Sequence, residues 1–431
     1  MRRNFVLFAC FLQAIFCGLA LCQGPSGWWK LDEGSGQAAY DSSPNGYDGT
    51  ICGPLGWRTD LFGPVLRFNG TSNHIEISGY SGTGGTQART TCAWIKLDSA
   101  GTGRTILSYG GGPAGDGTLW LFLVNANDQL QLGVTGGNLI GDPLLPTGQW
   151  IHVAAVVNDW DSDGLTVRDL RLYMNGQEIS GIYTNPDLGL DTGDINPVRL
   201  GTHAALSHYF AGRIHDVRMY DTALSAEEIH TLFAEEMGLA GGGTPENPYA
   251  ISTVKPLILI GAMAGLMDKC FVLTDDIVFD LNDPQNNIFS HALIAPDTSP
   301  DDGFQGTPFS GVFDGDHHTI QNLTIMGFNM EYIGLFGKTE SASIKNLTLA
   351  DVYIYAWTST DSSCCYVGGL AGQQVNSTIS QCRADGSINI TTDNSGTYLY
   401  TGGLVGHQDG GFIQDCSTAV STVSTALLEI I

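Results

Sequence analysis

The 431 residues carry 44 acidic against 18 basic side chains, a formal net charge of −26. A surface of that sign repels phosphate backbones and anionic lipid, which sets aside nucleic-acid and membrane-surface partners. Glycine is abundant, with 57 residues, and Gly, Asn, Asp and Ser punctuate short alternating runs, the signature of an all-β chain long enough for two domains.

The first residues read as an export signal over 1–22. Arg2 and Arg3 supply positive charge, Phe5 to Leu21 are apolar except for Gln13, and small Ala20 and Cys22 suit cleavage before Gln23. This predicts a secreted or cell-surface protein without membrane insertion after removal of the signal. Cys52, Cys92, Cys270, Cys364, Cys365, Cys382 and Cys416 remain, an odd number without zinc spacing.

Residues 23–238 form the first predicted domain. Its last segment, Phe210 to Leu232 (FAGRIHDVRMYDTALSAEEIHTL), joins an alternating strand to a helix. Ile214, Asp216, Arg218 and Tyr220 are expected on one face of that strand, and His215, Val217 and Met219 on the other. Ser225 and Glu228 stand in capping-box spacing at the helix start. Upstream lie Gly27–Gly53, Leu66–Ser78, Thr91–Leu97 and Gln149–Ile179, each strand-like and closed by turns. Trp94, Trp120 and Trp150 sit inside alternating strands and are expected in a core. Trp57 and Trp160 fall in turn-like polar segments and are the candidates for stacking on a carbohydrate ring.

In order and content these segments resemble the laminin-G-like jelly roll of the concanavalin A-like lectin/glucanase superfamily. The resemblance implies two packed antiparallel sheets and a binding role. It also implies a structural Ca²⁺ near the first and last strands, where Asp216 matches an aspartate of the closing-strand motif and Asp32 and Asp41 could lie nearby. His215 replaces an aspartate common in that motif. The loop from Asn158 to Gly164 is longer than the family's usual turn. Its Asp159, Asp161 and Asp163 alternate before Gly164, as a Ca²⁺ loop of the EF-hand type requires, but the closing acidic position is Leu170, with Asp169 one place early. Two readings stay open, a Ca²⁺ site and a solvated acidic hairpin tip.

Residues 239–252 read as a linker, glycines followed by prolines. From 253 to 431 an apolar capping helix (Val254 to Met267) precedes β structure from Cys270. Three units then align on Gly334–Gly337 (GLFG), Gly369–Gly372 (GLAG) and Gly403–Gly406 (GLVG). Ten residues after each first glycine stands Ile344, Ile379 or Ile413, and thirteen after it Leu347, Cys382 or Cys416. These units resemble GLUG repeats of bacterial surface proteins, and the earlier FDGDHHTIQNLTI resembles the coil before them, with Ile320 and Leu323 standing like Ile344 and Leu347. Units that cannot bury their own apolar face must stack, which predicts a right-handed parallel β-helix-like solenoid. Stacking makes Cys382 and Cys416 neighbours, as a disulfide or as a reduced ladder. The last strand lacks a polar cap, so either a longer parent protein or pairing of the terminus with another chain is expected.

No Glu-x-Asp-x-x-Glu run, G-x-S-x-G elbow or H-E-x-x-H pair occurs. The expectation is therefore a non-catalytic adhesion protein. Its sandwich would recognise an extracellular glycan or surface protein and its solenoid would serve as stalk or adhesive surface. The alternatives are the non-catalytic part of a polysaccharide-degrading enzyme and a purely structural surface component.

Overall fold

The computed structural model describes residues 24–54, 56–60, 62–101, 103–111, 118–261, 263–281, 288–298, 303–358, 364–392 and 398–426. The segment predicted as an export signal lies outside them. Among the described residues no helix is long and apolar enough to cross a membrane.

The N-terminal half is a two-sheet sandwich. One sheet has eight strands, with Trp150–Val157, Arg89–Leu97 and Ala211–Tyr220 at its centre, and the other has nine, centred on Leu119–Val124 and Arg104–Gly110. Their facing sides supply Trp29, Phe68, Ile95, Trp120, Phe122 and Val153 to one dry core. The closing strand departs from simple alternation. At Asp216, where φ is 50°, the register against Arg89–Leu97 shifts between His215 and Arg218. This bulge adds one residue, so Ile214, Val217 and Met219 face the sandwich core while His215, Arg218 and Tyr220 face outward. The predicted faces are correct only as far as the bulge.

Helix α1 (Ala226–Met237) begins as its sequence signals. The Ser225 hydroxyl accepts from the Glu228 amide, the Glu228 carboxylate accepts from the Ser225 amide, and Gly238 at φ 72° ends the helix. Helix α2 (Val254–Gly261) and a 3₁₀ turn at Ala264–Leu266 cap the second half. Phe233 and Met237 of α1, Leu257 and Ile260 of α2, and Trp94 and Trp150 from the outer face of the eight-stranded sheet belong to one buried cluster, which continues into the solenoid. Trp94 and Trp150 are thus buried, as expected, but on the outer face of the sheet, in the cluster shared with the helices and the solenoid, rather than between the two sheets. The glycine-rich segment before α2 doubles back on itself, with the Gly242 amide donating to the Asn247 carbonyl, and Tyr249–Ile251 already pairs in parallel with Cys270–Leu273.

The solenoid is built from parallel ladders. Phe271, Phe313, Ile344, Ile379 and Ile413 occupy one column, strand to strand. The coil before the repeats is offset from the expected alignment: Phe313 pairs with Ile344, whereas Ile320 pairs with Leu349. The repeated Ile-x-Asn-Leu phrase marks a corner, with Asn322 and Asn346 both left-handed (φ 65° and 54°), and the fold uses that corner at two different places around the coil. Gln381 and Asp415 take the same conformation in the later repeats. The Gly-Leu-x-Gly turns point Leu335, Leu370 and Leu404 inward. They pack so tightly that a Cβ on Gly372 would come within 2.7 Å of the Ile333 nitrogen and 2.8 Å of the Gly337 oxygen.

His152 lies 2% exposed against the rings of Trp94 and Phe233 at this junction. Burial, reinforced by the charge of Arg218, pushes its pKa down to about 3. An unfolded histidine takes its proton near pH 6.5, so between those values the unfolded state holds the extra proton and stability rises with pH. Acidification from pH 6.5 should therefore destabilise the protein by up to about 1.4 kcal/mol per pH unit from this group. Urea midpoints at pH 7 and pH 5, compared with those of His152→Gln, check it; parallel pH dependences in the two proteins would show that His152 is not responsible.

Candidate functional site

The hairpin of Trp150–Val157 and Leu170–Met174 is closed by the Val157–Leu170 pair, and its tip holds the acidic run. The tip is shaped by its own side chains. Ser162 at φ 65° and Gly164 at φ 109° reverse the chain, the Gly164 amide donates to Asp159 Oδ2 at 3.3 Å, and Asp169 Oδ2 accepts from the Thr166 amide and hydroxyl at 2.8 and 3.0 Å. Carboxylate oxygens of Asp159, Asp161 and Asp163 come within 4.8 Å of one another. The hydrogen bond and negative charge of Asp161 hold the Asp163 carboxyl above its ordinary pKa, and Asp159 Oδ1 is buried without a hydrogen-bond donor. A divalent cation would relieve both conditions.

The set fits an oxygen-seeking cation through three carboxylates. The fourth acidic position of an EF-hand-like loop is filled by Leu170, which is fully buried in the sandwich core, and Asp169 is committed to Thr166. Backbone carbonyls and water would have to complete a shell of about six to eight oxygens.

Trp160 stands beside the acidic tip, 46% exposed. Its indole nitrogen donates to the Asp169 carbonyl at 2.9 Å, and the Arg171 guanidinium lies 5.6 Å from its ring. Trp57 is elsewhere, on the edge strand Trp57–Asp60, half-buried against the sandwich core with its indole donating to the Gly36 carbonyl. Asp216 is also remote from the tip. Its carboxylate accepts from the Trp28 indole at 2.5 Å and from Arg218 at 2.8 and 3.1 Å. Asp41 braces the first turn by accepting from the amides of Trp28, Ser43 and Tyr47. The structure therefore brings together Asp159, Asp161, Asp163 and Trp160, and holds Trp57 and Asp216 apart from them.

Two concavities escaped the sequence reading, because each needs residues distant in the chain. A cleft of about 350 Å³ is lined by Trp28, Asp32, His215, Arg218 and Glu235. In its wall Glu236 pairs with His215 and Lys255; burial alone would raise its pKa, but the His215 hydrogen bond and those two charges carry it below the ordinary value. The other, about 250 Å³, lies between the halves under Trp150, Met174, Tyr249 and Met263.

Cys382 and Cys416 are stacked neighbours, as their repeat positions require. Both are free thiols, the Cys382 amide donates to Cys416 Sγ at 3.3 Å, and burial pushes the Cys382 thiol up to about 12. Cys365 is buried in the same interior.

Two segments of the chain match known family models. Residues 69–230 match the family model of the Concanavalin A-like lectin/glucanases superfamily. Residues 363–391 match the GLUG motif. Halomucin of Haloquadratum walsbyi is 32% identical over 117 residues, 26% of this chain, and the chain spans about 1% of that protein's length. Among solved structures, domain 4 of AbnA, a GH43 extracellular arabinanase from Geobacillus stearothermophilus in complex with arabinotriose, is 22% identical. The similarity covers 48% of this chain and 98% of that one at a TM-score of 0.37. Trypanosoma rangeli sialidase in complex with sialic acid is 17% identical, covering 50% and 33% of the two chains at a TM-score of 0.37.

Proposed function

We propose that this chain is an extracytoplasmic, non-catalytic binding protein. Its Concanavalin A-like sandwich recognises an extracellular glycan or surface protein through the acidic hairpin tip, with Ca²⁺ held by Asp159, Asp161 and Asp163 and Trp160 beside them as the stacking surface. The observation that carries this reading is the convergence of three carboxylates and a half-exposed indole on one loop, within a region that matches a lectin-containing superfamily. The export-like leader and the net charge of −26 fit an extracytoplasmic location and weigh against nucleic acid as partner. The non-catalytic reading is supported by the polar cleft, where Asp216 is committed to Arg218 and Glu236 to His215 and Lys255.

Isothermal titration of the full chain with Ca²⁺ should give saturable binding in the range of about 10⁻⁴–10⁻³ M, as expected for an extracellular site with few protein ligands. Asp161→Ala should abolish the heat. A glycan array probed with Ca²⁺ and then with chelator should show chelator-sensitive binding that is absent in Asp161→Ala and reduced in Trp160→Ala. No heat from the unmutated chain would remove the metal, and an array silent under both conditions would favour a protein partner.

A further inference from the structure

Four parallel strands form one lateral face of the solenoid: Thr324–Phe328, Thr348–Thr358, Arg383–Thr392 and Ser417–Ala426. Their register stacks Thr324, Tyr353, Ser387 and Ser421 in one column, Met326, Tyr355, Asn389 and Val423 in the next, and Phe328, Trp357 and Thr391 in a third. Between these columns, Ile325, Ile354 and Ile388 are buried in the core. Strand alternation therefore turns the three polar and aromatic columns outward. Phe328 is 53% exposed and Tyr353 39%, and Tyr355 and Trp357 are half-exposed. The Phe328 ring lies 6.4 Å from that of Tyr355 and 6.2 Å from that of Trp357, so three of these rings form one contiguous patch on two adjacent strands.

Single exposed aromatics need no explanation, but a contiguous patch on a flat sheet face marks a contact surface. The chemistry of this face is narrow. Its three outward columns carry Thr, Met, Phe, Tyr, Trp, Ser, Asn and Val, and the charged groups of these strands, Asp351, Arg383 and Asp385, stand at the corner that precedes the columns, with Arg383 and Asp385 paired at 3.6 Å. A polyanion would be repelled by the rest of the surface, and a polycation would meet carboxylates only at the edge of the face, Asp351 and the Arg383-paired Asp385, and none among the columns. What fits is a neutral, hydroxyl-rich chain. Aromatic rings can cover the apolar C–H face of a sugar ring, while the next strand, about 4.8 Å away, offers the Ser387 and Thr391 hydroxyls and the Asn389 amide to its hydroxyls.

We propose that this face is a second binding site, a metal-independent platform for a neutral polysaccharide. It shares no residue with the acidic hairpin tip and does not depend on Ca²⁺.

The test is affinity electrophoresis of the full chain in native gels containing hydroxyethylcellulose, galactomannan or arabinoxylan, with alginate as the polyanionic comparison and EDTA throughout. Retardation is expected in at least one neutral polymer. It should be weakened about tenfold in the Tyr355→Ala/Trp357→Ala double variant and retained in Tyr355→Phe. It should also be unchanged in Asp161→Ala, which separates this site from the hairpin. Thermal melts of the double variant confirm that its fold is kept. Migration unaffected by all three neutral polymers, equal retardation of the double variant, or retardation by alginate alone would overturn the proposal. So would sedimentation showing that the double variant loses self-association while its polysaccharide binding is unchanged, which would assign the face to contact between copies of the chain.

Discussion

Trp94→Ala or Phe233→Ala is expected to destabilise the protein by about 3–5 kcal/mol and to change how it unfolds. Both side chains are fully buried, their rings are 5.7 Å apart and nearly parallel, and they sit where the outer face of the eight-stranded sheet, helix α1 and the solenoid cap meet. An interface this apolar couples its two halves, so the unmutated chain should melt in a single transition. Truncating either ring removes the transfer free energy of the side chain and leaves a cavity in a junction whose polar neighbours, His152 and the His215–Glu236–Lys255 group, cannot fill it. The calorimetric trace of the variant should therefore resolve into separate sandwich and solenoid transitions. Two transitions already present in the unmutated protein, or a variant that still melts as one unit with little loss, would show that the junction does not couple the halves.

That junction marks where sequence reading stopped. Alternation, turn residues and a capping box are local signals, and they located the sandwich strands, α1 and the solenoid repeats. The bulge at Asp216 was hidden because one added residue leaves the hydrophobic pattern of the closing strand superficially intact on both sides. The offset of Phe313 and Ile320 was hidden for a related reason. Corners built on left-handed Asn322 and Asn346 look alike locally, and only the pairing of distant strands shows which corner of the coil each one serves.

The site was legible to the extent that it is contiguous. Asp159, Asp161, Asp163 and Trp160 lie within five residues, and their spacing alone suggested that they converge. That Leu170 closes the loop as a core residue follows from its pairing with Val157, which the Ca²⁺-loop template does not encode. The aromatic face of the solenoid depends on register between strands some thirty residues apart (Phe328 beside Trp357), so no window of sequence displays it. Tyr353, Tyr355 and Trp357 do alternate with Val352, Ile354 and Ala356, but a strand buried on one side looks the same whether the aromatic set faces solvent or core. What distinguishes them is the partner column, in which Ile325, Ile354 and Ile388 take the interior.

Ile379→Asp should produce the other large loss. Ile379 is fully buried in the column Phe313, Ile344, Ile379 and Ile413, with apolar neighbours above and below it. A carboxylate placed there is either desolvated or kept protonated, and in both states it lacks a partner among these side chains, at a cost of about 4 kcal/mol or more. Because each coil contacts only the coils next to it, the loss should fall on the strands from Thr378 onward and spread little toward α2. Circular dichroism should show reduced β signal, and hydrogen exchange should show rapid loss of protection in Arg383–Thr392 and Ser417–Ala426 with protection retained in Arg89–Leu97 and Trp150–Val157. Exchange that rises equally in the sandwich would mean that the loss is not confined to the neighbouring coils but passes through the stack to the junction. Since Asn389 and Thr391 belong to the strands that open, the same variant should also lose the proposed neutral-polysaccharide retardation while leaving the proposed Ca²⁺ site at Asp159, Asp161 and Asp163 unaffected.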